Sequence, residues 1–164
     1  MKTIQNTKCI FSLLLLIMTL SGIYSCQLKP NDAQAADDQT IQQYLDKNVL
    51  SPAFGGKVFS SHKIFLTEPD KIYLWAYMQE YYKKTDSIRY GTGWSVPLIL
   101  HTTGKPGALI IQSHTAPMDG ERYSMDIKNT YPLQIQNTVF QFPASTELKT
   151  MEKTAHQRAL NYFQ

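Results

Sequence analysis

The sequence predicts an α+β domain in which one helix is followed by a four-stranded antiparallel meander and then by C-terminal helices. Three observations lead to this prediction. Apolar residues follow a helical spacing before residue 50, and four β-rich segments with short polar turns occupy residues 57–115. The helical spacing then returns after Pro117. This order is compatible with a cystatin-like or NTF2-like sheet, a comparison that concerns the fold and carries no function.

The first helix is expected to begin at Asp38, because either of the adjacent aspartates, Asp37 or Asp38, can cap a helix. Apolar residues then follow at helical spacing as far as residue 48, namely Ile41, Tyr44 and Leu45. The pairs Ser51-Pro52 and Gly55-Gly56 are typical of the loop that ends such a helix.

Four strands are predicted at residues 57–66, 71–83, 88–101 and 108–115. The second, KIYLWAYMQEYYK, is the richest in β-forming residues and is apolar on both faces. Its aliphatic face consists of Ile72, Leu74, Ala76 and Met78, and its aromatic face of Tyr73, Trp75, Tyr77 and Tyr81. A strand of this kind is either covered on both sides or presents one face to a ligand.

Two helical patterns follow the meander. Tyr123, Ile127 and Tyr131 share one helical face that ends at Pro132, and Ser145 can cap a last helix. The apolar stripe of that helix consists of Leu148, Met151, Ala155 and Phe163. We expect these helices to cover one face of the sheet, with the α+β domain at residues 38–142 and a C-terminal helix at residues 143–164.

The first 25 residues are typical of a signal peptide. A short basic segment precedes an apolar run from Cys9 to Leu20, which is shorter than the ~20 apolar residues that a bilayer span needs. Two processing sites compete: Ala33-Gln34-Ala35 suits ordinary signal peptidase, whereas Ile23-Tyr24-Ser25-Cys26 resembles a bacterial lipobox. A retained membrane helix is the third alternative.

The resemblance to a lipobox implies that Cys26 carries a diacylglycerol on its thiol and a further acyl chain, such as palmitate, on its amine. Such chains together anchor a protein stably. Residues 26–37 then form a flexible tether to the bilayer, and the exported protein belongs to the cell envelope. Since Gln27 follows the cysteine instead of an aspartate, the outer membrane is expected if the host is Gram-negative.

Charge argues against a nucleic-acid partner. The formal net charge is +3, but Lys2 and Lys8 lie in the leader, so the remaining chain carries 14 of the 16 basic residues against 13 acidic ones. It has no basic run of the kind that binds phosphates. Cys9 also leaves with the leader, so an acylated Cys26 leaves the domain without a free thiol.

The run from Gly56 to Pro132 resembles an uncharacterised bacterial secreted domain. The similarity lies in three segments: KIYLWAYMQEYYK, GTGWSVPLIL and SHTAPMDGERYSMDIKNTYP. It covers about half the chain and implies a small lipoprotein domain, or an appendage of larger membrane proteins that resemble antibiotic-sensing metallopeptidases. The resemblance implies no catalytic residues.

The aromatic strand face is the predicted binding site for a small ligand or an envelope protein. Its residues are Tyr73, Trp75, Tyr77, Tyr81 and, on the next strand, Trp94. Tyrosine and tryptophan combine broad apolar surface with a polar tip, which suits such binding. The alternative is that these side chains pack beneath the helices.

Two further hypotheses remain open. His101 and His114 flank a tight turn and could join Asp119 in a two-histidine, one-carboxylate site of a metal-dependent hydrolase. The domain could instead act as a protease-inhibitor-like interaction module. The preferred reading is a non-enzymatic lipoprotein, with no catalytic residues and no cofactor expected.

Overall fold

The computed structural model describes residues 30–164, with side chains from Asp32 onward. Four α-helices are described: α1 (Pro30–Asn48), α2 (Tyr123–Thr130), α3 (Leu133–Gln141) and α4 (Thr146–Phe163). The strands are β1 (Lys57–Glu68), β2 (Lys71–Lys84), β3 (Ser87–Lys105) and β4 (Ala108–Thr115), and single 3-10 turns occupy Gly120–Arg122 and Phe142–Ala144. The predicted signal peptide and Cys26 lie outside the described residues, so those expectations stay predictions.

The four strands form one antiparallel sheet in the order β1-β2-β3-β4, which confirms the predicted meander. Short turns join them, as expected for neighbouring antiparallel strands. The β1–β2 and β3–β4 turns therefore lie at one end of the sheet and the β2–β3 turn at the other. The α+β fold predicted from the sequence is confirmed, with a helix before the sheet and helices after it.

Helices cover both faces of the sheet, whereas the sequence predicted packing on one face. On the first face, Ile41 and Leu45 of α1 pack against the aliphatic residues of β2 and β3. On the second, α2, α3 and α4 pack against the aromatic side of β2. The two apolar faces of β2 are thus both buried, which explains why its sequence is apolar throughout.

Helix α1 begins at Pro30, so residues 30–37 of the predicted tether are helical. Alanine, aspartate and glutamine residues dominate this stretch, and proline is well tolerated in a first helical turn. Two long-range features fix the segment: Ala33 is buried, and the Asp37 carboxylate accepts hydrogen bonds from the β3–β4 turn. The sequence missed this because the stretch lacks large apolar residues.

The C-terminal helices follow the predicted pattern with one addition. The Ser145 hydroxyl accepts a hydrogen bond from the Leu148 N–H at 3.2 Å and caps α4, as expected. Pro132 ends the preceding helical face as predicted, but it also stands directly before α3, which buries Ile135 and Val139. None of the helices between residues 30 and 164 combines the length and apolarity of a membrane span.

A buried carboxylate fixes the end of the sheet away from the β1–β2 turn. Glu80 is fully buried and accepts hydrogen bonds from four backbone N–H groups: Ala53, Phe54, Gly56 and Thr92. Burial alone would raise the pKa of this carboxyl, but the four donors outweigh it and lower the pKa to about 2. A Cβ at Gly91 would lie 2.5 Å from the Glu80 carboxylate, so glycine is required opposite it.

Candidate ligand-binding cleft

The aromatic face of β2 is a core layer, which corrects the prediction of a binding site there. Tyr73, Trp75 and Tyr81 are at most 3% exposed. The Trp75 ring packs 5.2 Å from the Phe142 ring, and its indole N–H donates to the Ser95 hydroxyl at 2.9 Å. The structure agrees with the alternative, in which these aromatic side chains pack beneath the helices.

The other two residues of that predicted site, Tyr77 and Trp94, do not form an open binding surface either. Tyr77 is half-buried between the apolar clusters of the same face. Trp94 pairs with Met78 and packs on the opposite face of the sheet, against the cluster beneath α1. The five aromatic side chains therefore do not share one surface.

The structure does not assemble the hypothetical His101/His114/Asp119 site. His101 contacts the Thr115 hydroxyl at 2.9 Å on one face, whereas His114 contacts the Tyr44 hydroxyl of α1 at 2.9 Å on the other. Burial lowers the pKa of His114, and His101 adds to the effect. Among residues 30–164, no group of three His, Cys, Asp or Glu side chains is arranged to hold a metal ion.

A cleft of about 720 Å³ lies between the N-terminal half of α1 and the sheet end that carries the β1–β2 and β3–β4 turns. Its apolar wall includes Ile41, Ile64, Ile72 and Leu109. Such a volume is within the roughly 300–1,000 Å³ of typical small-molecule sites, which are largely apolar with a few polar groups. We name this feature the α1 cleft.

One wall of the α1 cleft is held in place by a single side chain. The Asp37 carboxylate accepts hydrogen bonds from the N–H of Gly107 at 3.0 Å and of Leu109 at 3.2 Å. Gly107 has a φ of 80°, a left-handed conformation that favours glycine and shapes this turn. The start of α1 and the β3–β4 turn therefore form one unit.

A second recess of about 630 Å³ adjoins the cleft along α1 and shares Gln34, Asp38 and Ile64 with it. His62 of β1 lies in its wall, with its Nε2 atom 3.6 Å from the Asp38 carboxylate. The buried Nδ1 atom has no hydrogen-bond partner among the described residues. Burial lowers the pKa of His62, and this effect exceeds the opposing attraction of Asp38.

Glu68 borders the cleft at the end of β1. Its side chain shares the aromatic face of the sheet with Tyr73, and its carboxylate accepts a hydrogen bond of 3.1 Å from the Tyr73 hydroxyl. Burial, with a further contribution from Glu68, raises the pKa of Tyr73 to about 12, so the phenol remains a donor at any ordinary pH. The Glu68 carboxylate therefore belongs to the packed aromatic layer, although the residue borders the cleft.

Comparison with protein-family models, with curated proteins and with solved structures finds no match to this chain. The cleft itself is the basis for any functional argument. Sequence reasoning missed it because Asp37 and Asp38 were interpreted as helix caps and no motif distinguished His62. Two adjacent aspartates within an alanine-rich helix were the available signal, but only the fold brings them to the sheet end.

Proposed function

We propose that this protein is an exported, lipid-anchored binding protein whose α1 cleft holds a small ligand with an apolar body. The observation that carries the proposal is the cleft of about 720 Å³ with isoleucine and leucine walls. Of the four wall residues, Ile64 and Leu109 are partly exposed, and the apolar surface that a ligand removes from water contributes about 25 cal/mol per Å². We therefore propose the helix–sheet cleft as the ligand site, instead of the aromatic strand face predicted from the sequence.

The position of Cys26 supports a role close to the membrane. Four residue steps separate Cys26 from Pro30, where α1 begins, and they span about 14 Å when fully extended. Acyl chains on Cys26 would hold the first turn of α1 within that distance of the bilayer. The α1 cleft lies beside the same turns of the helix, so it would be exposed to molecules at the membrane surface.

The anchor is tested by labelling cells with radioactive palmitate while they express the chain. We expect incorporation in the wild type and its loss in Cys26→Ser. Cys9→Ser is the matched control, because it removes the chain's other cysteine and should leave incorporation unchanged. Label that persists in Cys26→Ser would overturn the lipid anchor without bearing on the cleft.

The binding role is tested with a neutral probe, a dodecyl maltoside that carries a photoreactive diazirine in its chain. The full chain is reconstituted in nanodiscs of zwitterionic lipid and irradiated, and labelled peptides are mapped by mass spectrometry. We expect labelling to concentrate on peptides that line the α1 cleft, with less on the β2–β3 turn at the opposite end. An even distribution over both ends of the sheet would contradict the proposed function.

A further inference from the structure

A second concave feature, of about 360 Å³, lies at the sheet end that carries the β2–β3 turn, away from the α1 cleft. Strand β1 begins at Lys57, opposite Tyr81, so no described strand lies beside the last residues of β2 on that side. The feature lies at this step in the sheet edge, and we name it the β1 recess. Its walls come from the loop before β1, the end of β2 and the end of α4.

Aromatic rings in the walls of the β1 recess are open to solvent. Phe54 is 60% exposed and Tyr162 of α4 is 56% exposed, and both line the recess. Tyr82 covers one face of the Phe54 ring, with centroids 5.6 Å apart and planes 8° from parallel. The other face of Phe54 is therefore available to a ligand, and exposed aromatic side chains that line one concavity are typical of a binding site.

The exposed position of Phe54 is fixed before any ligand binds. The backbone N–H groups of Phe54 and Gly56 donate to the buried Glu80 carboxylate, at 2.9 and 2.8 Å. A Cβ at Gly56 would collide with the Tyr81 carbonyl oxygen, so this loop lies tightly against β2. A ring that is held in place in this way has less conformational entropy to lose when a ligand packs on it.

The charged residues that line the β1 recess are both basic. They are Lys57 and Lys83, which lie on the α4 side of the sheet because Lys57 pairs with Tyr81 and side chains alternate along β2. Lys57 Nζ lies 4.0 Å from the centroid of the Tyr162 ring. Within the described part of the chain, neither lysine forms an ion pair with a carboxylate. The two ammonium groups can therefore donate to an anion.

We propose that the β1 recess binds one unit of an acidic sugar chain, a pyranose ring that carries a carboxylate. The C–H face of the ring packs on Phe54, and the carboxylate lies between Lys57 and Lys83. A Cβ at Gly55 would meet nothing within 4 Å, so the recess is open there and the sugar hydroxyls remain in water. The site is separate from the α1 cleft, and this inference goes beyond the proposed function.

The test is equilibrium dialysis of the full chain, in nanodiscs of zwitterionic lipid, against three tritium-labelled tetramers. Tetragalacturonate has sugar rings and carboxylates, its methyl ester has the rings without the charge, and tetraglutamate has the charge without the rings. We expect tetragalacturonate to bind at least about fivefold more tightly than its ester, because a carboxylate 4 Å from an ammonium gains about that much even at the dielectric constant of water. Tetraglutamate should also bind more weakly, because it lacks the rings.

Equal binding of the ester or of tetraglutamate would overturn the proposal, as would no binding of tetragalacturonate above that of empty nanodiscs. Lys57→Gln/Lys83→Gln should bind tetragalacturonate and its ester equally. The matched control is Lys128→Gln/Lys149→Gln, which removes two exposed lysines outside the recess and should keep the preference for charge. A preference that survives the loss of Lys57 and Lys83 would overturn the proposal.

Phe54→Ser should bind tetragalacturonate about fivefold more weakly, the equivalent of about 40 Å² of lost apolar contact. The matched control is Tyr90→Ser, because Tyr90 is also 60% exposed and does not line the recess. Thermal unfolding of both variants checks that they fold, and Lys57→Gln/Lys83→Gln tests the site independently of Phe54. Wild-type affinity in a folded Phe54→Ser would overturn the proposal. All these outcomes leave the α1 cleft, at the other end of the sheet, untouched.

Discussion

The Asp37 carboxylate lies 3.0 Å from the backbone N–H of Gly107, across 70 residues of sequence. This hydrogen bond fastens the first half of α1 to the β3–β4 turn, and these two elements form facing walls of the α1 cleft. The shape of the proposed binding site therefore depends on a contact that is remote in sequence.

Asp37→Ala should loosen the start of α1. Two backbone donors, those of Gly107 and Leu109, lose their acceptor, and we expect a destabilisation of about 1–2 kcal/mol. Hydrogen exchange should show lost protection around residues 30–41 and in the turn. Asp32→Ala is the control, since Asp32 is exposed in the same helix. Unchanged protection in Asp37→Ala would mean that the contact does not hold the wall.

Glu80→Gln should destabilise the protein by about 3 kcal/mol near pH 6, because one amide oxygen replaces a carboxylate that serves four backbone donors. The folded-state pKa is about 2, below the ordinary 4.5, so ionisation of Glu80 contributes stability above pH 4.5. That contribution is lost as pH falls from 4.5 to about 2. Urea unfolding of both proteins should therefore show a difference that narrows over this window; a constant difference would contradict the role of the charge.

His62→Leu should reduce the loss of stability in mild acid. The folded-state pKa of His62 is lowered from 6.5, so the unfolded chain takes up the proton first as pH falls below 6.5. Asp38 opposes this shift and Arg158 favours it, but burial dominates. Wild-type unfolding free energy should therefore fall more steeply than that of His62→Leu from pH 6.5 downward. Identical slopes would show that His62 is not buried as described.

Arg158→Ala tests whether the ion pair between Arg158 and Asp46 stabilises the fold more than an exposed ion pair does. Arg158 contacts both carboxylate oxygens of Asp46, at 2.8 and 3.3 Å, and donates to the Ser60 carbonyl at 2.8 Å. Removing it leaves Asp46, whose side chain is 12% exposed, without its cation, so we expect a loss of about 2 kcal/mol.

The control for Arg158 is Lys63→Ala, which breaks a pair of similar length with Glu147 at 2.8 Å. Both of those side chains are about half exposed, and such pairs contribute less than about 1 kcal/mol. Chemical denaturation of the two variants gives the comparison. Equal losses would indicate that the Arg158 contacts add nothing beyond a surface charge pair.

The sequence predicted the sheet well because its signals are local. Dense β-forming segments, short turns and the Ser145 cap each depend on a few neighbouring residues. The start of α1 was missed because the Asp37 contact with Gly107, which helps to fix it, is long-range. Whether the aromatic face is open depended on how the C-terminal helices pack, which no local pattern specifies.

Two β-bulges determine on which face of the sheet Trp94 and His114 lie. Uninterrupted pairing from the β2–β3 turn would put Trp94 opposite Tyr77, but the bulge between Gln79 and Tyr81 pairs it with Met78 instead. Because side chains alternate between the two faces, the one-residue shift at this bulge places Trp94 on the other side of the sheet.

The bulge between His101 and Thr102 has the same effect on the histidines. Without it, pairing from the β3–β4 turn would put His101 and His114 on one face. With it, His114 pairs with Leu100 and faces α1, whereas His101 pairs with Ser113. Gly91 and Gly93 lie at the first bulge and are a sequence signal for it, because glycine inside a strand often marks a bulge. The second bulge has no such signal, and the register itself was known only from the structure.

The most direct test of the binding account is to fill the α1 cleft. Gln34 is exposed on α1 and borders both the cleft and the adjoining recess, so Gln34→Trp places an indole in their shared wall. The control is Gln43→Trp, because Gln43 is also exposed on α1 and does not line the cleft. With the neutral photoreactive dodecyl maltoside, we expect Gln34→Trp to lose labelling of the cleft peptides and Gln43→Trp to keep it. Full labelling of those peptides in Gln34→Trp would contradict binding in the α1 cleft.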